Sequence, residues 1–411
     1  MPSQRMLRKY AKLAVCVGAN VRKNQPLLIS ASVETKDFVR LCVEEAYKAG
    51  ASMVSVRWLD QMVSHTNFKY ASVEVLSEIP SYIVDQMKFY IDKGYAAISI
   101  SADTPGVMAD IDPLKMQKVG MATGKALKFY SEHMMGNRTQ WCVISVPTEG
   151  WAKKVFPNER SSKAVDKLWD AILSAVRVTK DNDPVKEWKA HNEILHKHNE
   201  MLNNYNFKAL KFKNGKGTDL TVGLVKNHVW AGGNEKSTKG IVFNPNLPTE
   251  ESFTMPEKKG VNGTVYATKP LNYNGALIED FWLTFKDGKV VDFDAKTSKE
   301  ALASLVNYDD GSCYLGEVAL ISHDSPISNS NILFFNTLFD ENASCHLALG
   351  RAYPMNVKGG NSMSQEQLDA AGANNSMTHN DFMFGSADMN IVGITHEGNE
   401  VVVFKNGNFV F

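Results

Sequence analysis

The chain has 411 residues, 44% of them hydrophobic, which is enough to bury a large core in about two or three domains on a prior of roughly 150 residues each. Its 45 Lys and Arg balance 45 Asp and Glu, so no basic field exists to draw it to nucleic acid or an anionic membrane. Five scattered cysteines (Cys16, Cys42, Cys142, Cys313, Cys345), odd in number and without C-x-x-C spacing, argue against a disulfide framework or zinc ribbon and suit a reducing cytoplasm.

The basic opening MPSQRMLRKYAK before LAVCVGA superficially resembles a secretory leader. Yet Met6, Leu7, Tyr10, Leu13, Ala14 and Val17 recur at helical spacing, and Gly18 stands where a helix C-cap belongs. No run of about 18 apolar residues occurs, so no membrane span is expected. Strand-like runs follow at PLLISASV (26–33), SMVSVRWL (52–59), AAISIS (96–101) and QWCVISVP (140–147). They alternate with helical segments such as TKDFVRLCVEEAYKAG (35–50), a βαβ rhythm that predicts a mostly parallel sheet flanked by helices. Two helices are expected from 161 to about 205, the second starting near Pro184.

Near residue 206 the rhythm changes. ALKFKNGKGTDLTVGL, FWLTFKDGKVVDFDA and VVVFKNGNFVF set Asn-Gly or Asp-Gly between alternating runs, the mark of antiparallel hairpins. The expected organisation is an α/β domain over 1–205 and an α+β, largely antiparallel domain over 206–411.

Some candidates for chemistry are weak. AGGNEKSTKG (231–240) has Glu235 where a phosphate-cradling loop needs Gly before the Lys. The histidines of HNEILHKHNE (191–200) read as a solvated helix face. Cys345 beside His346 reads as a small buried apolar group, since adjacent strand residues face opposite ways.

MTHNDFMFG (377–385) is different, because on a strand His379 and Asp381 share a face while lying next to Phe382, Met383 and Phe384. An ionised carboxylate buried without compensation costs several kcal/mol. A core His–Asp hydrogen bond would suffice for that stretch alone, but more such groups follow. NLPTEESFTMP (246–256) places Glu250 and Glu251 at a strand start, where only one can face inward. CYLGEVALIS (313–322) isolates Glu317 among apolar residues, with Gly316 allowing close backbone approach. DENASCHLALGRAY (340–353) supplies His346 and Tyr353, seven apart, which a helix would set two turns apart on nearly one face. Each has an ordinary reading when taken singly. Together they form a metal inventory: three carboxylates and one hydroxide balance two divalent ions, and oxygen with imidazole donors suits Zn, Co, Mn or Mg.

The motifs N-L-P-T-E-E-x-F-T-x-P, Y-L-G-E-V-A-L, L-F-D-E-N-A-S-C-H-L-A-L-G-x-A-Y and T-H-N-D-F-M-F-G-S closely resemble, in the same order, those of the thermophilic metallo-aminopeptidase family (AmpS/AmpT/PepS type). The resemblance extends to the opening A-x-x-x-V-x-x-G-A-N-V and covers essentially the whole chain. It implies a homodimeric exopeptidase with two divalent metal ions per chain, cutting N-terminal residues from short peptides by attack of a metal-bridging hydroxide. It implies ligands at Glu251, Glu317, His346, His379 and Asp381, which selects Glu251 over Glu250. It places Tyr353 at the metal-site tyrosine. From the chemistry of such a centre, Glu317 is expected also to shuttle a proton to the leaving amine and Tyr353 to support the oxyanion, with its being a ligand itself left open. Two other readings of the residues remain: another two-metal hydrolase, such as an amidase or phosphoesterase, or a non-enzymatic protein stabilised by metal.

Overall fold

The computed structural model describes residues 2–273 and 276–411 and divides into two compact units, residues 1–190 with 234–248 and residues 191–233 with 249–411. The chain crosses from the first to the second within the helix Pro184–Tyr205. It returns to the first unit for 234–248, a segment that the sequence rhythm does not mark off.

In the first unit, Leu27–Ser32 (β1), Val54–Leu59 (β2), Ala96–Ser101 (β3) and Trp141–Ser145 (β4) form one sheet in the order β2-β1-β3-β4 with every pairing parallel, as the βαβ rhythm predicts. The first helix, Gln4–Leu13, is capped by Ser3, whose Oγ accepts from the Met6 amide at 3.3 Å. It buries Leu7, Tyr10, Ala11 and Leu13 on one face. Its last helical residue is Gly18, and the C-cap is Ala19, one residue beyond the expected Gly18. The helix widens over Ala14–Gly18, the Ala19 amide reaches back to the Ala14 carbonyl, and the left-handed residue that stops it is Asn20 (φ 40°). The Asn244 amide, from the returning segment, covers the exposed Val17 and Gly18 carbonyls.

The second unit holds an eight-stranded antiparallel sheet in the order 289–294, 282–286, 256–266, 219–224, 209–213, 390–394, 400–405 and 408–409. Two of its hairpin turns are those expected from Asp-Gly and Asn-Gly, while Asn214-Gly215 lies in a longer connection between Lys213 and Asp219 in which Gly217 has the positive φ, 110°. Asp287 and Gly288 have φ of 48° and 83°, and Asn406 and Gly407 have φ of 51° and 76°, the two consecutive positive values of a type I′ turn. Against this sheet packs a second, four-stranded antiparallel sheet of Ser252–Thr254 (β5), Leu315–Leu320 (β6), His346–Gly350 (β7) and His379–Met383 (β8), in the order β8-β7-β6-β5. Val318, Leu320, Leu347, Leu349 and Phe382 share one core with Phe212, Leu220, Val222 and Phe384. Because strand side chains alternate, the opposite face of β6, β7 and β8 presents Glu317, His346, His379 and Asp381.

Two expectations need correcting. His346 starts a strand and Tyr353 lies beyond its end, so their spacing is not two turns of helix. The histidines at 191–198 are not all on a solvated face: His196 is exposed, but His191 is buried and donates from Nε2 to the Thr249 carbonyl at 2.8 Å. His198 stacks on Phe409 at 3.9 Å, and burial pulls its pKa down to about 4. The helix is polar because its side chains brace backbone as well as meet water, as when Asn203 both donates to the Trp230 carbonyl and accepts from the Trp230 amide. No helix among the described residues is long and apolar enough to cross a membrane.

The Asp287–Gly288 turn yields a test. A Cβ at Gly288 would lie 1.8 Å from the Lys258 carbonyl oxygen, in addition to the left-handed penalty of about 1–2 kcal/mol. Gly288→Ala is expected to lower the unfolding free energy by at least that amount, whereas Gly398→Ala, with nothing within 4 Å of its Cβ, should lose only the backbone part. Urea unfolding of the two variants makes the comparison.

Candidate metal centre

Strand β6 is buried along its whole length, so Glu317 has to enter the apolar sheet at a place where the backbone can adapt. The register of β6 on β7 shifts between Leu315 and Glu317, and Gly316 occupies the irregularity. A Cβ on Gly316 would stand 2.4 Å from the Gly350 carbonyl oxygen and 2.3 Å from that of Arg351, so a bare α-carbon is what permits this approach. The shift turns Leu315 into the core and leaves Glu317, 5% exposed, on the polar face.

The register then gathers the other groups. Ala319 pairs with His346, Glu317 with Ala348, Ala348 with Asp381 and Gly350 with His379, which sets the four polar side chains on one face of three adjacent strands. Phe253 of β5 is opposite Ala319, so by alternation Glu251 falls on this face and Glu250 on the other. Glu250 indeed lies elsewhere: its Oε2 is 3.7 Å from His191 Nε2, and its amide donates to Asn342 Oδ1 at 2.8 Å.

The distances define two sets that share one carboxylate. His346 Nε2 lies 3.3 Å from Glu317 Oε1 and 3.4 Å from Glu251 Oε2. His379 Nε2 lies 3.7 Å from Glu317 Oε2 and 3.3 Å from Asp381 Oδ1. Donor atoms of Glu251, Glu317 and His346 all fall within 4.8 Å of one another, as do those of Glu317, His379 and Asp381. Glu317 thus turns one oxygen toward each imidazole.

Both imidazoles are oriented from behind. His379 Nδ1 is 2.7 Å from the Arg351 carbonyl oxygen and His346 Nδ1 is 3.3 Å from that of Ser344. A carbonyl can only accept, so each Nδ1 carries a proton and each Nε2 faces the carboxylates, His346 Nε2 donating to Glu317 Oε1 at 3.3 Å; a backbone anchor on Nδ1 is the arrangement seen behind metal-bound histidines. Asp381 Oδ1 is buried and accepts no hydrogen bond, its contact with His379 being off hydrogen-bond geometry. An orphaned buried carboxylate oxygen, beside hard oxygen and imidazole donors and no thiolate, fits a divalent cation.

The electrostatics point the same way. Burial raises the Glu317 carboxyl, with His346 and His379 opposing. Burial pulls the His346 imidazole down, but Glu251 and Glu317 outweigh it and hold it well above its usual value. Burial likewise opposes His379, yet Asp381 and Glu317 push it up to about 10. The cluster is short of positive charge, and imidazole protons are drawn in to supply some of it.

Tyr353 reaches the centre from the loop after β7, its ring 4.7 Å from that of His379 and 6.4 Å from that of Phe253. Burial, then the nearby Glu317 and Asp381, keep its phenol protonated by raising its pKa. One acidic residue escaped the sequence reading. Glu341, in the short turn Glu341–Ala343, has its carboxyl raised well above the usual range by burial, then by Asp381 and Glu251. The local signal was weak, since Asp340-Glu341 lies among Asn336, Thr337, Asn342 and Ser344 as well as Leu338, Phe339 and Ala343. Asp340 has another job: its carboxylate accepts from the Phe334 amide at 2.7 Å and the Asn336 amide at 3.0 Å. Cys345, by contrast, is an apolar core group as expected. Its Sγ sits on the Ile321 backbone, and burial pushes its thiol up to about 11.

Comparison with known proteins supplies the wider setting. The model of the thermophilic metalloprotease family M29 matches residues 3–409. The chain is 47% identical over 408 residues to Aminopeptidase 2 of Geobacillus stearothermophilus, covering 99% of this chain and 98% of that one. It is 45% identical to Aminopeptidase AmpS of Bacillus subtilis, with 98% of each chain covered. The solved structure of wild-type AmpT from Thermus thermophilus superposes with a TM-score of 0.93 at 37% identity, covering 99% of this chain and 100% of that one.

The strand parity at 250–251 is directly testable. Glu251→Gln should lower the divalent metal retained per chain after dialysis, whereas Glu250→Gln should leave metal content at the wild-type value. Elemental analysis of both variants decides it, and the reverse order would mean the register does not reach this residue pair.

Proposed function

The chain belongs to the thermophilic metalloprotease family M29, and on that footing we propose that it is a dinuclear aminopeptidase removing N-terminal residues from short peptides. The observation that carries this reading is Glu317, one carboxylate facing two imidazoles with a different oxygen each, between two donor sets. Glu251, His346 and Glu317 would hold one divalent ion, and Glu317, His379 and Asp381 the other. Zn, Co, Mn and Mg all suit such donors. Ions bound there supply Lewis acidity toward the scissile carbonyl and a water acidic enough to attack near neutral pH.

The chain's own groups do the rest. The Nδ1 hydrogen bonds to Ser344 and Arg351 keep both Nε2 atoms aimed inward. Tyr353, kept protonated, donates its O–H to the oxygen that gains charge as the carbonyl carbon becomes tetrahedral. Glu317 has both oxygens committed to holding, which leaves Glu341, beside Asp381 and outside both donor sets, as the carboxylate to take a proton from the attacking water and pass it to the leaving amine nitrogen. The acid-rich face also favours a substrate with a free, positively charged amine, consistent with exopeptidase action. A homodimer working in the cytoplasm completes the proposal.

The reading is tested with leucine p-nitroanilide and its N-acetyl counterpart, using protein stripped by chelator and reloaded with each metal in turn. The free-amine substrate should be cleaved only after reloading and the acetylated one not at all. Equal turnover of the two would overturn the exopeptidase assignment.

The division of labour makes a second prediction. Tyr353→Phe and Glu341→Gln should keep wild-type metal content and lose about 10²–10³ in kcat, while Glu317→Gln should lose metal as well as turnover. Measuring bound metal and kcat on the same preparations separates holding from proton transfer; metal loss in Glu341→Gln would make that residue a ligand instead.

A further inference from the structure

The two imidazoles of the centre are anchored from different distances along the chain. Ser344, whose carbonyl takes His346 Nδ1, stands two residues before it, so that contact is local to one segment. Arg351, whose carbonyl takes His379 Nδ1 at 2.7 Å, is 28 residues away in the chain and just past the end of β7. Where that carbonyl points is therefore decided by whatever holds the stretch Gly350–Ala352.

One buried residue grips that stretch on both sides of Arg351. Asn374 is 2% exposed, and its Nδ2 donates to the Gly350 carbonyl at 2.6 Å, to that of Gly311 at 2.8 Å and to that of Tyr314 at 3.4 Å. Its own backbone carbonyl takes the Ala352 amide at 3.0 Å. Between these contacts the Arg351 amide reaches the Thr378 carbonyl at 2.7 Å, one residue before His379. Three carbonyls can only accept, so the position calls for a side-chain donor. Among the described residues the Oδ1 of Asn374 is buried without a hydrogen-bond partner, a cost that marks the residue as present for its donors. The Gly350 and Arg351 carbonyls also lie close to Gly316, on the strand that carries Glu317.

We propose that Asn374 is a positioning residue for one donor set only: by fixing Gly350–Ala352 it keeps the Arg351 carbonyl on His379 Nδ1, and so serves the ion held by Glu317, His379 and Asp381 but not the one held by Glu251, Glu317 and His346. The proposal rests on the dinuclear reading above. A residue that merely tied loops together would instead lower stability and leave both ions in place, or weaken both alike. The loops keep other ties without it, since the Asp309 carboxylate accepts from the amides of Gly311 and Ser312, both at 2.8 Å, and from that of Met377 at 2.7 Å. Loss of the Asn374 amide should therefore free the Arg351 carbonyl without releasing the segments around it.

The test titrates chelator-stripped protein with Zn and reads the ions bound per chain and the affinity of each. Wild-type protein and Gly288→Ala, a destabilised control outside the centre, should both take up two ions. Asn374→Ala should keep one at wild-type affinity and weaken the other by about 10–100-fold, the usual effect of losing support behind a metal-bound histidine. In His379→Ala protein, which already lacks that ligand, adding Asn374→Ala should change nothing further in the ion that remains. Asn374→Ser, which keeps a hydroxyl donor, reads the same split should the alanine variant fail to fold. Equal weakening of both ions, two ions at wild-type affinity, or failure of both Asn374 variants to fold overturns the proposal. If wild-type protein takes up fewer than two ions, the dinuclear reading falls first and this inference with it.

Discussion

The centre is organised around one electrostatic problem, the collection of four carboxylates, those of Glu251, Glu317, Glu341 and Asp381, on or beside one face of an otherwise apolar sheet. Like charges at such range, removed from water, cannot all stay ionised without positive charge among them. Two imidazoles in the same cluster are pulled toward their charged forms, and the Glu317 and Glu341 carboxyls are pushed toward their neutral ones. Divalent cations would relieve the same imbalance more completely. Metal binding and the stability of this sheet are therefore two sides of one free energy.

Solving that problem requires rigid placement, and under the proposed function the holding groups and the working groups stand on different kinds of structure. Glu317, His346, His379 and Asp381 ride on paired strands whose other face is core, so their spacing is fixed by the sheet itself. Backbone carbonyls behind the histidines fix ring and tautomer. Tyr353 and Glu341 come from the connections outside these strands, where small adjustments remain available to the groups proposed to act on substrate. The loop that carries Phe335 is held by Asp340, whose pKa burial raises to about 6, so a buried carboxylate serves shape here and not chemistry.

Adjacent acidic residues repeatedly take divergent roles because the chain can aim only one of each pair. Glu250 turns to His191 while Glu251 turns to His346. Asp340 braces amides while Glu341 joins the cluster. In both pairs the doublet is a consequence of placing one carboxylate at the centre and one in the framework that supports it.

Much of this was legible in the amino-acid order. Period-two runs broken by Asn-Gly and Asp-Gly predicted the hairpins, the βαβ rhythm predicted the parallel sheet, and single ionisable groups in apolar strands marked Glu317, His379 and Asp381, because those signals are local. The choice between Glu250 and Glu251 needed the pairing of β5 with β6, and the inward turn of His191 needed the Thr249 carbonyl, both contacts between segments far apart in the chain. His346 and Tyr353 show the limit most plainly: their spacing suits a helix, but the strand β7 between its two partners is what places His346, and a loop is what returns Tyr353 to the same site. Local patterning fixes which faces are polar. Which polar faces meet, and which of two neighbouring acids joins them, is decided by strand register, a property of the folded sheet and not of any one segment.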